Sequence, residues 1–449
     1  MNAATQSLYR TLWRWHFYAG LFVIPFVLVL SMSGAVFLFK PQIERWEERA
    51  FQQLPAAGAV APSEQVAAAL AALPGATLHS YRLPQQTGDA AMVHLALADQ
   101  HSMRDVFVSP QGKVLGSLDP DARVAEVVRR IHGQLLLGTR GSWLVELAAS
   151  WAIVMVITGL YLWWPRGRGT AGVLWPRRRS LLRDLHAVTG FWVASFVLVL
   201  LITGLPWAGV WGSAFSALRT QMGWVQGTSD WSIGGTPASA VDQHSGHEHS
   251  AMHGAHAHGV DLSALDRFVP LAARENLAFP VLVLAPGAPQ FDSAPSPNWI
   301  IKSDAQNRPL RQTIELDADS GSVISRQRFA DQHPVDRVVG YGIAWHEGQL
   351  FGWINQLVGV CTALALATMS VTGFLMWRRR RPKGELGAPA LPRDTRKPAA
   401  IAVFMLALAV VLPLLAASMV LLWIFERLLP RISPAAAAWL GLYPGPVRR

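Results

Sequence analysis

Five apolar stretches long enough to cross a bilayer constrain this chain more than any other feature. They lie near residues 12 to 39, 142 to 165, 185 to 212, 352 to 377 and 400 to 425, and a hydrocarbon core about 30 Å thick is crossed by roughly 20 helical residues. In lipid, backbone polar groups must be satisfied within the segment, so each stretch is expected to be a helix. Charged residues make up only 15% of the 449 positions, which places the chain among integral membrane proteins. Trp163, Trp164, Trp211, Trp377 and Trp423 fall near helix ends, where indole rings favour the interface.

The net charge of +10 is not spread evenly. Arg10 and Arg14 precede the first stretch, Arg166, Arg168, Arg177 to Arg179 and Arg183 fill the second connection, and Arg378 to Arg381, Lys383, Arg393, Arg396 and Lys397 fill the fourth. Short loops rich in Lys and Arg stay in the cytoplasm. This predicts an inside N-terminus, long connections (about 40 to 141 and 213 to 351) outside, and an outside C-terminus. The charge is thus read as topology-setting, and no nucleic-acid partner is expected. The first apolar run is too long for a signal-peptide core. Cys361 is the only cysteine, so no intrachain disulfide forms.

The two long connections read as versions of one design. In the first, Pro62-Ser63-Glu64-Gln65 starts a helix reaching Leu73, followed by short strands at Tyr81 to Leu83, Ala91 to Leu97, Arg104 to Val108 and Lys113 to Leu118. In the second, a helix over Leu262 to Asn276 precedes strands at Val281 to Leu284, Asn298 to Lys302, Arg311 to Leu316 and Ser322 to Arg326. The expected divisions are 1–40 for the N-terminus and first span, 41–141 for the first outside domain, and 142–184 for the second span and its basic loop. Then follow 185–212 for the third span, 213–351 for the second outside domain, 352–398 for the fourth span and loop, and 399–449 for the fifth span and tail. The fold class is a polytopic α-helical membrane protein of duplicated two-span units with two outside α+β domains.

Four histidines repeat with this duplication. His16 is followed by Gly20 and Gly34, and His186 by Gly190 and Gly204, at intervals of 4 and 18 residues in both cases. His132 and His346 are each followed by glycine 6 residues on (Gly138, Gly352) and by the glycine of a Thr-Gly pair 27 residues on (Gly159, Gly373). Positions i and i+4 share a helix face, so Gly20 and Gly190 leave room beside an imidazole for a flat macrocycle; the same spacing also serves close helix packing. Eighteen helical residues rise about 27 Å, which places His16 and His186 near the inner face and His132 and His346 near the outer one. Two neutral imidazoles suit the axial positions of haem iron, and ionisable groups beside spans are usually functional. Two haems, one at each depth, would form a wire across the membrane.

Arg129 and Arg130 flank His132, Arg337 precedes His346, and Arg14 and Arg183 lie close to His16 and His186. Each fits a haem propionate, although an interfacial anchor is the commoner reading. Trp15, Trp192, Trp345 and Trp353 fit a lining for the haems, although tryptophan at the membrane interface is the commoner reading. His244, His247, His249, His253, His256 and His258 crowd fifteen residues of a Gly/Ser-rich stretch; they fit an auxiliary arm for zinc, copper or nickel, or a linker. His79, His94, His101 and His333 have no repeat partner and are read as surface or packing residues.

The arrangement resembles the PepSY-associated transmembrane proteins, among them bacterial ferric-siderophore reductases of the inner membrane. The residues carrying the resemblance are Trp15-His16-Phe-Tyr-Ala-Gly20, Asp184-Leu-His186-Ala-Val-Thr-Gly190, His132-Gly-Gln-Leu-Leu-Leu-Gly138, His346-Glu-Gly-Gln-Leu-Phe-Gly352 and the Thr-Gly pairs, over residues 5 to 381. It implies PepSY-like periplasmic domains, two haem b groups held by paired histidines, and reduction of a ferric siderophore in the periplasm for release of Fe(II). It also implies periplasmic iron-uptake proteins as partners. No dinucleotide fingerprint appears in the cytoplasmic loops, so a flavoprotein or NAD(P)H-linked reductase, or a quinol, is the expected donor. Two other readings stay open: a non-enzymatic regulatory or scaffold protein whose histidines only pack, and a metal handler built on the histidine-rich arm.

Overall fold

The computed structural model describes residues 3–99, 102–164, 174–176, 181–224, 260–288, 295–389 and 399–442. Helix α1 (Ala3–Phe37) leads through the short α2 (Lys40–Glu47) to α3 (Pro62–Ala72) and strands β1 to β4 (Thr77–Arg82, Ala91–Ala96, Met103–Val108, Val114–Leu118). Next come α4 (Val124–Gln134), α5 (Gly138–Trp163), α6 (Leu181–Gly204), α7 (Gly209–Gln221) and α8 (Ala264–Arg274). Strands β5 to β8 (Val281–Leu284, Trp299–Ser303, Gln312–Leu316, Val323–Arg328) then precede α9 (Pro334–His346), α10 (Trp353–Arg380), α11 (Ala399–Val411), α12 (Pro413–Ile432) and α13 (Pro434–Trp439).

Five helices are long and apolar enough to cross a membrane: Gln6–Phe37, Gly138–Trp163, Leu181–Trp207, Trp353–Arg380 and Pro413–Ile432. Within this bundle α1 and α6 each pack against both α5 and α10. Leu364, Val371 and Leu421 remain exposed on it, as lipid-facing side chains must in a protein solvated by hydrocarbon.

The two histidine-bearing segments before α5 and α10 are separate short helices, which the span pattern does not reveal. Helix α4 stops where Leu135, Leu136 and Gly138 take positive φ (51°, 59° and 59°), and α9 stops ahead of Gly348 and Gly352 at 73° and 59°. Left-handed residues end a helix and redirect the chain, here letting α4 pack against α1 and α9 against α6 before the next span begins.

The two strand-bearing units do not stand apart as separate sheets. Their strands form one antiparallel sheet in the order β4-β3-β2-β1-β5-β6-β7-β8, joined where Ser80, Tyr81 and Arg82 pair with Leu284, Val283 and Leu282. The physical reason is edge protection: β1 and β5 would each expose unpaired N–H and C=O groups, and pairing removes both edges. One face packs Tyr81, Val93, Leu95, Val106, Val283 and Ile301 against α3 and α8; the opposite face overlooks the helix bundle.

The expected span over 400 to 425 is two helices. Proline cannot donate to the preceding turn and pushes the residue before it out of the α region; Leu412 accordingly adopts φ −120°, ψ 89°. Trp211 Nε1 donates to the Val411 carbonyl at this break (3.0 Å), and Trp151 Nε1 to Ser418 Oγ (3.1 Å) further along α12. At the far end Arg14 donates to the carbonyls of Pro389 and of Gly441 (the latter 3.1 Å), and Tyr18 to that of Leu440 (2.5 Å). The chain therefore returns to the end of the bundle where α1 begins, against the expectation of termini on opposite sides. A reporter fused to the C-terminus should give the same compartment as one fused to the N-terminus; opposite compartments would contradict this hairpin.

Candidate functional site

Each of the four repeated histidines is held against a glycine of a neighbouring helix. A Cβ placed on Gly159 of α5 would lie 3.0 Å from Cε1 of His16, and one on Gly373 of α10 would lie 3.3 Å from that of His186. Gly34 of α1 and Gly204 of α6 stand in the same way against His132 (3.0 Å) and His346 (3.3 Å). The missing side chains are what let the imidazoles sit between helices. Gly20 and Gly190, expected beside the imidazoles, instead face the thioethers of Met155 (Sδ at 3.8 Å) and Met369 (Cε at 3.0 Å). The glycines that matter are thus the distant ones; their signal was the pair of intervals of 18 and 27 residues.

The ring nitrogens are oriented alike in all four. His16 Nδ1 donates to the Met155 carbonyl (3.0 Å) with Thr158 Oγ1 at 3.2 Å, and His186 Nδ1 donates to the Met369 carbonyl (3.0 Å) with Thr372 Oγ1 at 3.3 Å. His132 Nδ1 meets Ser33 Oγ at 3.1 Å and His346 Nδ1 meets Thr203 Oγ1 at 3.1 Å. Ser33 and Thr203 give their own protons to the Val29 and Val199 carbonyls, so both hydroxyls must accept from Nδ1–H. With Nδ1–H so engaged, every Nε2 is the unprotonated nitrogen, the one able to ligate a metal. Burial lowers the pKa of His132, and burial together with the nearby His132 pushes His346 down to about 4; both stay neutral at pH 7, the form a metal requires.

The structure brings His16 close to His186 and His132 close to His346. His16 and His186 have ring centres 6.5 Å apart, and His132 and His346 6.2 Å apart. With a metal–imidazole bond of about 2 Å and roughly 1.1 Å from ring nitrogen to ring centre, two rings on opposite sides of one metal stand about 6.2 Å apart. No group of three or more His, Cys, Asp or Glu residues able to hold a metal occurs among the described residues. A metal in either pair therefore needs its remaining donors from elsewhere, which a macrocycle's four nitrogens supply.

A chamber of about 1260 Å³ connects this region with the sheet. It begins among the helices at Met155, Gly190 and Met369, passes His132, His346, Trp207 and Trp345, and widens beneath β1 to β3 and β5 to β7. That volume exceeds the roughly 300–1,000 Å³ of common ligand sites, enough for a prosthetic group and a second ligand. Trp207 meets His346 edge-on (ring centres 5.8 Å apart). At the wide end burial alone would raise the Asp304 carboxyl, but Arg311, Lys302, Lys40 and Arg308 together hold it below its usual value.

The arginines are more committed than the sequence suggests. Arg129 lines the chamber and is clamped by both oxygens of Glu126 (2.7 and 2.6 Å). Arg130 donates to the Asp121 carbonyl at 2.5 Å. Arg337 lies nine residues before His346, about 13 Å along α9. Arg14 holds the C-terminal segment, as described. Trp345 lines the chamber, whereas Trp192 and Trp353 are exposed. His79 and His94, read as surface or packing residues, line the chamber. His244, His247, His249, His253, His256 and His258 lie outside the described residues, as does His101.

Residues 13–380 match the family described as PepSY-associated TM region. No curated protein matches the chain.

Proposed function

The chain belongs to the PepSY-associated TM region family, and from that premise we propose that it is a di-haem reductase, carrying electrons across the bacterial inner membrane to a periplasmic ferric siderophore and so releasing Fe(II). The observation that carries this reading is the two imidazole pairs at axial spacing, 6.5 and 6.2 Å, each with Nδ1 tied and Nε2 left to ligate. Haem b bound there supplies one-electron chemistry at a potential set by its axial ligands and surroundings.

The chain's own part is positional. Thr158, Thr372, Ser33 and Thr203 lock the tautomers and ring planes; Gly159, Gly373, Gly34 and Gly204 give the rings their recesses. The chamber brings a bulky chelate beside His132 and His346 while the sheet roofs it. Its wall mixes both signs of charge, with Lys40, Arg82, Arg308 and Arg311 set against Glu48, Asp105, Asp304 and Glu347. Oxygen-donor chelators hold Fe(II) less well than Fe(III), so one electron frees the metal. The donor at the other end is a flavoprotein, an NAD(P)H-linked reductase or a quinol.

Protein reduced with dithionite, freed of excess reductant without air and mixed with a ferric siderophore should return to its oxidised spectrum while Fe(II) accumulates on a colorimetric ferrous chelator. The Fe(II) should approach two per chain. A reduced spectrum that persists with the ferric chelate present overturns the reductase reading.

A further inference from the structure

We infer that His79 and His94 form a further, open metal site on the chamber face of the sheet, taking a divalent first-row transition ion; given the reductase reading above, that ion is the Fe(II) released beside it. Three features of the strands build it. Leu78 pairs with Leu95 but Ser80 pairs with His94, so His79 is the extra residue of a β-bulge. Such bulges re-aim a side chain, and this one brings His79 to His94, ring centres 5.1 Å apart and nearly perpendicular at 86°. On the next strand Asp105 is the direct cross-strand partner of His94.

The separation distinguishes this pair from the other two. Rings about 3.1 Å from a shared metal stand roughly 6.2 Å apart when opposite and about 5.1 Å apart at a tetrahedral angle. The two membrane pairs match the first value, and His79 and His94 the second. Asp105 accepts from His94 Nδ1 at 2.5 Å and is itself 4% exposed and 3.7 Å from Arg123 Nη1. A carboxylate behind Nδ1 leaves Nε2 to ligate, the usual support of a metal-bound histidine; among the described residues His94 Nε2 makes no hydrogen bond. His79 Nδ1 lies 3.2 Å from Ser80 Oγ. Imidazole suits Fe(II) and its neighbours better than the hard Fe(III) that oxygen chelators retain. With two protein ligands and the other positions left to water, the ion is held loosely enough to pass on.

The test uses the full-length, haem-loaded protein with Co(II) as the probe, followed by titration calorimetry and the visible bands of bound Co(II). Wild type should bind one more Co(II) per chain than His94→Gln or His79→Gln, ions held elsewhere on the chain being common to all three. Asp105→Asn should weaken that site about 10- to 100-fold. Haem content should be unchanged in the histidine variants, which shows that the fold is intact. Equal Co(II) stoichiometry in wild type and both histidine variants overturns the site and leaves an edge-to-face imidazole contact. Loss of ferric-chelate reduction without loss of this Co(II) difference would fall on the reductase reading and spare the site.

Discussion

Changing His16 or His186 to alanine is expected to remove one haem of two, and changing His132 or His346 to remove the other. In the proposed reading the two rings of each pair, 6.5 and 6.2 Å apart, would share a single metal, so one alanine would delete an axial ligand and leave a hole beside a buried ring. The pairs are independent because His16 and Gly34, which mark the two depths, lie about 27 Å apart along α1. Variants within a pair should therefore look alike, and variants from different pairs should differ in which spectral component is lost. Gly159→Val should imitate His16→Ala, since even a first carbon there would sit 3.0 Å from the imidazole. Haem per chain and low-temperature absorption of the reduced protein measure all five. Retention of two haems in any histidine variant would contradict the ligand assignment at that residue.

Arg123→Ala should destabilise the protein by about 3–5 kcal/mol, the usual cost of removing one partner from a buried charge group. The Arg123 side chain is 10% exposed; its Nε lies 3.2 Å from Glu47 and its Nη2 lies 2.8 Å from Glu48. Arg82 holds Glu48 from the other side (2.6 Å). Burial alone would lower the Arg123 pKa, but Glu48, Glu44 and Asp105 raise it above its ordinary value. Without the guanidinium, Glu47 and Asp105 lose a largely buried cation. Arg123 also directly precedes α4, so the His132 haem should be the more easily lost of the two. Denaturant titration in detergent, with haem content followed in parallel, checks both effects; a change below about 1 kcal/mol would show that water already screens these charges.

The parts of the fold written in local patterns were legible. Short strand-forming runs separated by turns marked all eight strands, and long apolar runs marked the first four spans. The four histidines stood out because a repeat carries them. Pairings between distant segments were not legible: nothing local in Thr77–Arg82 announces that its second neighbour is Val281–Leu284, about 200 residues away. Pro413 was visible yet lost within an apolar run whose hydropathy it hardly changes. The histidines' true glycine neighbours are on other helices, so the i+4 rule pointed to Gly20 and Gly190 instead. His79 escaped because a one-residue bulge reverses the face that strict alternation would assign it.

The most direct test of the central claim is haem stoichiometry of the purified wild-type protein, by pyridine haemochrome assay against protein concentration and with electron paramagnetic resonance of the oxidised form. Two haem b per chain, both low-spin with two imidazole ligands, are the predicted result. A protein without haem, or with a single high-spin centre, would contradict it.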